Sequence, residues 1–322
     1  MRAIQVHHFG GPESLSSDDI PAPQPGAGEA LIKIGAAGVN FIDVYHRTGR
    51  YPGATPFTLG VEAAGVVEAV GDGVTDVRVG NRVAYCLHRG SYAEYQTAPA
   101  DKLVPIPNGM DYDSAAAALV QGLTAHYLAF DSYRIQPGDE VVVHAAAGGA
   151  GALLTQVAKR RGARVIATVS TEAKAAVARE CGADEVILYS QTDFEAEVKR
   201  LTGGRGVACV YDSVGKTTFE KSLNCLRPLG YLVLYGGASG PVPPLDPIVL
   251  MNKGSLFLTR PTLGHYIPDR AALLKRAADI FNWIAAGELK LRIERRYPLA
   301  DAAQAHRDLE SRATMGKLLL IP

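Results

Sequence analysis

The run Glu140-Val141-Val142-Val143-His144 feeds into Ala145-Ala146-Ala147-Gly148-Gly149-Ala150-Gly151, and from Gly151 to Arg161 the apolar spacing becomes helical. A strand, a glycine-rich turn and a helix in that order constrain a fold tightly, because they open a β-α-β unit of a parallel sheet. At such a turn the first N–H groups of the helix have no intrahelical acceptor, and the helix dipole favours negative charge there. Glycines let a pyrophosphate come close to those groups. Gly148, Gly149, Ala150 and Gly151 are therefore candidate contacts to a dinucleotide. The competing reading is a turn whose glycines only allow strand and helix to pack.

The alternation continues downstream. Strand-like runs at Arg164 to Val169, Glu185 to Tyr189, Val207 to Asp212 and Tyr231 to Tyr235 are separated by helical stretches at Glu172 to Cys181, Phe194 to Leu201 and Thr217 to Leu226. That pattern predicts an α/β domain, a doubly wound parallel sheet. The first 120 or so residues differ, with short strands such as Ala30 to Ile34, Ala64 to Val70 and Arg82 to Tyr85 broken by Gly and Pro. After the break Gly240-Pro241-Val242-Pro243-Pro244 come a strand at Ser255 to Thr259 and a helical pattern from Arg270 to Ala286. The end of the chain, with the helix Ala300 to Glu310 and the strand Lys317 to Ile321, returns most economically to the first domain. Residues 1–122 with 261–322 are expected as a β-rich domain, and 123–260 as a Rossmann domain inserted into it.

At 322 residues the chain is long enough for two cores. Thirty-three basic and thirty-three acidic residues balance, so no global field draws it to DNA, RNA or an anionic membrane. The absence of an apolar signal core or long apolar run reads as a cytoplasmic protein. Cys86, Cys181, Cys209 and Cys225 form no Cys-x-x-Cys pair and read as reduced core thiols.

A site specific for the coenzyme without a 2′-phosphate usually has an acid about 20 residues after the glycine turn. None stands here. Val169-Ser170-Thr171 ends the second strand and Lys174 follows on the next helix. A hydroxyl and an ammonium suit a phosphate, which favours NADPH over NADH. Lys174 could instead be a solvated surface lysine.

Further segments join the glycine turn: Gly38-Val39-Asn40-Phe41-Ile42-Asp43-Val44-Tyr45, Leu59-Gly60-Val61-Glu62-Ala63-Ala64-Gly65, Gln121-Gly122-Leu123-Thr124-Ala125, Tyr211-Asp212-Ser213-Val214-Gly215 and Glu310-Ser311-Arg312-Ala313-Thr314. Together they closely resemble the quinone oxidoreductases, the zeta-crystallin-like branch of the medium-chain dehydrogenases/reductases, over essentially the whole chain. The resemblance implies a GroES-like catalytic domain, a Rossmann domain, an active-site cleft between them, NADPH as reductant and a homodimer. Cofactor contacts carried over by position are Asn40, Tyr45, Tyr51, Thr124, Gly148, Gly149, Gly151, Ser170, Lys174, Tyr189 and Arg312, with Ser170, Lys174 and Tyr189 around the 2′-phosphate. Tyr235 is counted with them.

Zinc-containing relatives in that superfamily ligate metal with a Cys near the Asn40 position and a His in a Gly-His-Glu motif, where this chain has Asn40 and Val61. Neither side chain supplies a thiolate or imidazole, so a metal-free site is expected. Catalysis would rest on stacking a quinone or related carbonyl acceptor against nicotinamide and donating hydrogen bonds to its oxygen. By resemblance the donors are Asn40, Tyr45 and Tyr51, with Thr124 on the nicotinamide side and Arg260 a weaker candidate. Asn40 could instead cap the helix that begins at Phe41, and Tyr45 and Tyr51 could be packing residues. His7, His8, His46, His88 and His265 are read as ordinary. Rival readings are reduction of 2-alkenals or enoyl thioesters and a crystallin-like NADPH- or RNA-binding protein. The apolar strand Ser255 to Thr259 is the expected dimer edge.

Overall fold

A computed structural model describes all 322 residues, and the chain divides into two compact units. One comprises Met1–Val120 and Ile267–Pro322, the other Gln121–Tyr266. The divisions fall at 120/121 and 266/267, near the expected 122/123 and 260/261.

In the Gln121–Tyr266 unit six parallel strands lie in the order Glu185–Leu188, Arg164–Val169, Glu140–His144, Val207–Asp212, Leu226–Leu234, Phe257–Thr259. The first strand in sequence is thus central, and the order reverses beside it. In such sheets ligands bind at the carboxyl ends of the strands at this switch point. Val141, Val142 and Val143 have no exposed surface, as expected for a strand covered on both faces. Each buried aliphatic side chain of this kind contributes about 1.5–3 kcal/mol. The helices Gly149–Arg160, Glu172–Glu180, Phe194–Leu201 and Phe219–Asn224 connect the strands.

The expected strand at Ser255 to Thr259 begins at Phe257 instead, because Gly254 and Ser255 both take positive φ, 109° and 56°, and make a turn. The expected strand Tyr231 to Tyr235 extends back to Leu226 and ends at Leu234.

The other unit is built on a seven-stranded sheet. Its path runs Ile293–Pro298, Lys317–Ile321, Glu29–Val39, Glu62–Val70, Arg82–Cys86, Val104–Pro105, and Tyr95–Pro99 pairs with Glu29–Val39. Leu318, Leu319 and Leu320 pair antiparallel with Val39, Gly38 and Ala37, so the chain's last strand lies beside Glu29–Val39 in this sheet. Ile4, Val6, Ile32, Val67, Tyr85, Leu318 and Leu320 belong to one apolar core. No helix is long and apolar enough to cross a membrane.

Candidate cofactor and acceptor sites

The glycine turn sits at the carboxyl end of Glu140–His144. Its left-handed residue is Ala145 (φ 52°), not a glycine. The glycines serve other needs. A Cβ on Gly151 would lie 2.3 Å from the Ala145 carbonyl oxygen, so that position is fixed by close approach of helix to turn. A Cβ on Gly149 would strike the Gln121 amide. On Gly148 it would meet only the Ala145 oxygen, at 3.3 Å, which leaves the backbone open on that side. Gly148 is also the N-cap of Gly149–Arg160 and offers no side chain to the N–H groups of the first turn. An uncapped helix start under an open backbone fits a pyrophosphate.

The next two strand ends bring the other cofactor candidates together. Arg164–Val169 and Glu185–Leu188 are parallel neighbours, with Val169 opposite Leu188. Beyond them the Tyr189 N–H donates to the Val169 carbonyl (3.1 Å), and the Ser190 hydroxyl donates to the Ser170 carbonyl (2.8 Å). Thr171 caps Glu172–Glu180 by accepting the Lys174 N–H. Ser170, Lys174 and Tyr189 thus share one edge of the sheet, and Tyr189 is 45% exposed. Tyr235 follows Leu226–Leu234, its N–H on the Asp212 carbonyl, and burial pushes its phenol up to about 12.

Beneath the turn lies a polar chain that sequence reasoning missed. His144 Nδ1 meets the Thr168 hydroxyl at 2.7 Å and Nε2 meets the Ser222 hydroxyl at 3.0 Å. Because Ser222 donates to Asp212 Oδ2, its oxygen accepts from His144, and Nε2 carries the proton. Burial holds the imidazole below its ordinary pKa. Ser, His and Asp meet here in the wrong sequence for a nucleophile: the carboxylate holds the serine directly, and the histidine donates to it rather than taking its proton. The chain ties three strands and the helix Phe219–Asn224 together.

In the other unit Asn40 precedes the helix Phe41–Arg47, and the Asp43 carboxylate accepts the Asn40 N–H at 2.8 Å. The Asn40 side chain does more than cap. Its Nδ2 donates to the Gly38 carbonyl (3.1 Å) and to Glu62 Oε2 (2.9 Å), and its Oδ1 accepts from Lys317 Nζ (2.8 Å). Lys317 also donates to Glu62 Oε2 at 2.5 Å, and Glu62 Oε1 accepts the Val120 N–H. Glu62 is fully buried and Lys317 2% exposed. The expected donation from Asn40 to an acceptor therefore has no hydrogen left to use: both amide hydrogens are committed.

A second buried chain starts at Asp43, whose carboxylate accepts from the Tyr92 hydroxyl (2.9 Å). Tyr92 faces His306 Nε2 at 3.3 Å, and Arg47 donates to His306 Nδ1 at 2.9 Å and to Glu310. Arginine cannot accept, so Nδ1 is unprotonated and Nε2 bears the hydrogen. Burial, then the Arg47 charge, lower His306 to about 3. Burial raises Asp43 to about 7 against the Asn40 N–H, the Tyr92 hydroxyl and Lys317.

Tyr45 is buried and Tyr51 half-buried. Their rings meet edge-on at 5.4 Å, His46 lies on Tyr51 at 5.5 Å, and the Arg50 guanidinium sits 4.5 Å above Tyr45. Thr124 is half-buried on Tyr112–Tyr127. Arg312 is exposed in a left-handed turn (φ 58°), and Arg260 is exposed with its guanidinium on the Pro261 carbonyl.

Two family models match: the alcohol dehydrogenase GroES-like domain over residues 26–108 and the zinc-binding dehydrogenase domain over 181–320. A quinone oxidoreductase of Pseudomonas aeruginosa is 44% identical across 100% of this chain and 99% of its own length. The crystal structure of Escherichia coli quinone oxidoreductase complexed with NADPH superposes with a TM-score of 0.98 at 42% identity, covering all of both chains. The chain belongs to the quinone oxidoreductases of the medium-chain dehydrogenase/reductase superfamily. A 2-haloacrylate reductase of a Burkholderia species is 42% identical over 99% of the chain and 98% of its own length.

No group of three or more His, Cys, Asp or Glu side chains could hold a metal ion. Where this quinone oxidoreductase sequence has Asn40 and Val61, the nearby cation is the Lys317 ammonium between Asn40 and Glu62. Glu62 lies in the segment Leu59 to Gly65 and Lys317 opens the last strand, but only the fold joins residues so distant.

Proposed function

We propose that the chain is an NADPH-dependent quinone reductase working without a metal. The observation that carries this is the open, uncapped start of Gly149–Arg160 beside the strand ends that bear Ser170, Lys174 and Tyr189. It agrees with the NADPH in the Escherichia coli relative's structure. When bound, NADPH would supply a hydride, hence two electrons and one hydrogen, and the quinone takes one proton from water to leave as hydroquinone.

The chain's own residues bind and orient. N–H groups of Gly149, Ala150 and Gly151 hold the pyrophosphate, with Gly148 leaving room. Ser170, Lys174 and Tyr189 take the 2′-phosphate, while Tyr235 and Arg312 add cofactor contacts. Thr124 anchors the nicotinamide so that the acceptor stacks on it. Tyr45 and Tyr51 donate to the carbonyl oxygen as charge develops there. Asn40 serves as a cofactor contact of fixed position rather than as a donor to the acceptor. The Asn40, Glu62 and Lys317 arrangement supports the metal-free reading, since an ammonium already neutralises the carboxylate.

The 2-haloacrylate reductase relative favours a second reading, reduction of an activated carbon–carbon double bond with Tyr45 or Tyr51 delivering the proton. Steady-state NADPH oxidation separates the two. Turnover with 1,4-benzoquinone or 9,10-phenanthrenequinone above that with 2-hexenal, crotonyl thioester or 2-chloroacrylate is expected. No turnover with any quinone would sink the first reading.

A homodimer is part of the same proposal. Phe257–Thr259 is an edge strand, and Phe257 stacks on Tyr231 at 4.4 Å while remaining 47% exposed. Leu229, Ile248 and Met251 are exposed in flanking segments. Such an edge invites a second copy. Light scattering at micromolar concentration should give twice the chain mass, and Phe257→Lys should shift it toward monomer. A wild-type monomer would refute the edge's role.

A further inference from the structure

Two stretches of the first unit lack acidic residues: positions 44–61, between Asp43 and Glu62, and positions 77–93, between Asp76 and Glu94. They bring cations to the Tyr45–Tyr51 pair. The Arg89 guanidinium lies 4.3 Å above the Phe57 ring and forms no ion pair, although its side chain is exposed. The Arg50 guanidinium lies over the Tyr45 ring. His46 packs on Tyr51, and its Nδ1 is buried with no hydrogen-bond partner in the chain. Burial first, and then the Arg89 charge, hold that imidazole below its ordinary pKa, so Arg89 lies within electrostatic reach of it. Most arginines elsewhere in the unit have acids: Arg2 pairs with Glu94, Arg47 with Glu310, Arg270 with Asp76, Arg295 with Asp308 and Arg296 with Asp113.

A guanidinium held flat by an aromatic ring, with no carboxylate of its own and a polar neighbour lacking a partner, is a fork for a planar anion. We infer that Arg89, with His46 within its electrostatic reach, selects acceptors that carry a carboxylate conjugated to the reducible group. The inference rests on the reductase reading and on Tyr45 and Tyr51 facing the acceptor. The class includes carboxylated quinones and 2-substituted alkenoates. In either case the acceptor takes a hydride, which bound NADPH would supply, and one proton, from water for a quinone and through Tyr45 or Tyr51 for an alkenoate, and the carboxylate is unchanged. The cofactor's phosphates are not competitors for Arg89, because the glycine turn and Ser170, Lys174 and Tyr189 are assigned to them.

The test compares an acid with its methyl ester: 2-carboxy-1,4-benzoquinone against 2-methoxycarbonyl-1,4-benzoquinone, and 2-chloroacrylate against methyl 2-chloroacrylate. The acid-to-ester ratio of kcat/KM should exceed one for at least one pair. Arg89→Gln should cut that ratio about tenfold or more, through the KM of the acid, as expected for loss of a charge-assisted hydrogen bond. Arg89→Lys, which keeps the charge without the fork, should restore part of it. A wild-type preference for both esters, or a ratio that Arg89→Gln leaves unchanged, would overturn the inference. If the quinone ester is reduced but the ratio ignores Arg89, the reductase reading stands and only this selectivity falls. If neither pair is reduced while 1,4-benzoquinone is, the reductase reading stands and this inference falls; if no quinone is reduced, both fall.

Discussion

Lys317→Met should destabilise the protein by about 3–5 kcal/mol, the cost of breaking a buried ion pair by removing one partner. The pair is inaccessible on both sides, with side-chain exposures of 2% and 0%. Without the ammonium, Glu62 keeps only the Asn40 amide and the Val120 N–H, and Asp43 stands nearby as a second carboxylate. Removing both charges is different, since apolar residues of similar size can replace a buried pair at little cost. Glu62→Leu combined with Lys317→Met should therefore recover most of the loss. Urea unfolding of wild type, single and double variants measures this. A single-variant loss under about 1 kcal/mol would show that the pair does not hold the core together.

The loss should also depend on pH. The folded pKa of Asp43, about 7, lies above the value of 3.8 for a free aspartate. Ionised Asp43 therefore costs stability above pH 7, and that cost is relieved as pH falls through 7 toward 4, where the folded state binds a proton that the unfolded state does not. Lys317 opposes the upward shift. Its loss should raise the Asp43 pKa further and make the variant's deficit larger at pH 8 than at pH 6.

Lys174→Ala should raise the KM for NADPH by about 10- to 100-fold, the range for losing a charge-assisted hydrogen bond to phosphate, and leave the KM for NADH nearly unchanged. In the proposed arrangement only NADPH brings a phosphate to the edge formed by Ser170, Lys174 and Tyr189. The ammonium is carried on the first turn of Glu172–Glu180, whose start is set by the Thr171 cap. A selective effect would come from the phosphate contact, whereas a distorted helix would weaken both coenzymes alike. Equal losses with NADPH and NADH would refute the phosphate role.

The parallel sheet was legible in the sequence because each of its strands is a local signal. Val141 to Val143 form an unbroken apolar run, and the glycine turn that follows admits few backbone paths. Even there the sequence does not say which residue of the turn carries the left-handed conformation. The left-handed residue is Ala145, while Gly151 is required by the carbonyl that its Cβ would strike, a contact invisible without the helix in place. The return of Lys317 to Ile321 to the first unit was legible from the change in pattern near the end of the chain. What that strand carries was not. Asn40, Glu62 and Lys317 meet because the last strand pairs with Glu29–Val39, and Asp43, Arg47, Tyr92 and His306 meet across three separate segments. Each of these residues taken alone looks like an ordinary polar residue. Burial gives them their roles, and burial of a charged side chain follows from the assembled fold rather than from its neighbours in sequence. The same limit explains Asn40: its capping position was visible, but the partners that use up its amide hydrogens were not.

The measurement that bears most directly on the account is the wild-type ratio of kcat/KM for NADPH over NADH with 1,4-benzoquinone as acceptor, followed by loss of reduced-nicotinamide absorbance. Rapid oxidation of NADPH, with a ratio of about tenfold or more in its favour, is the predicted result. No oxidation with the quinone, or a preference for NADH, would contradict it.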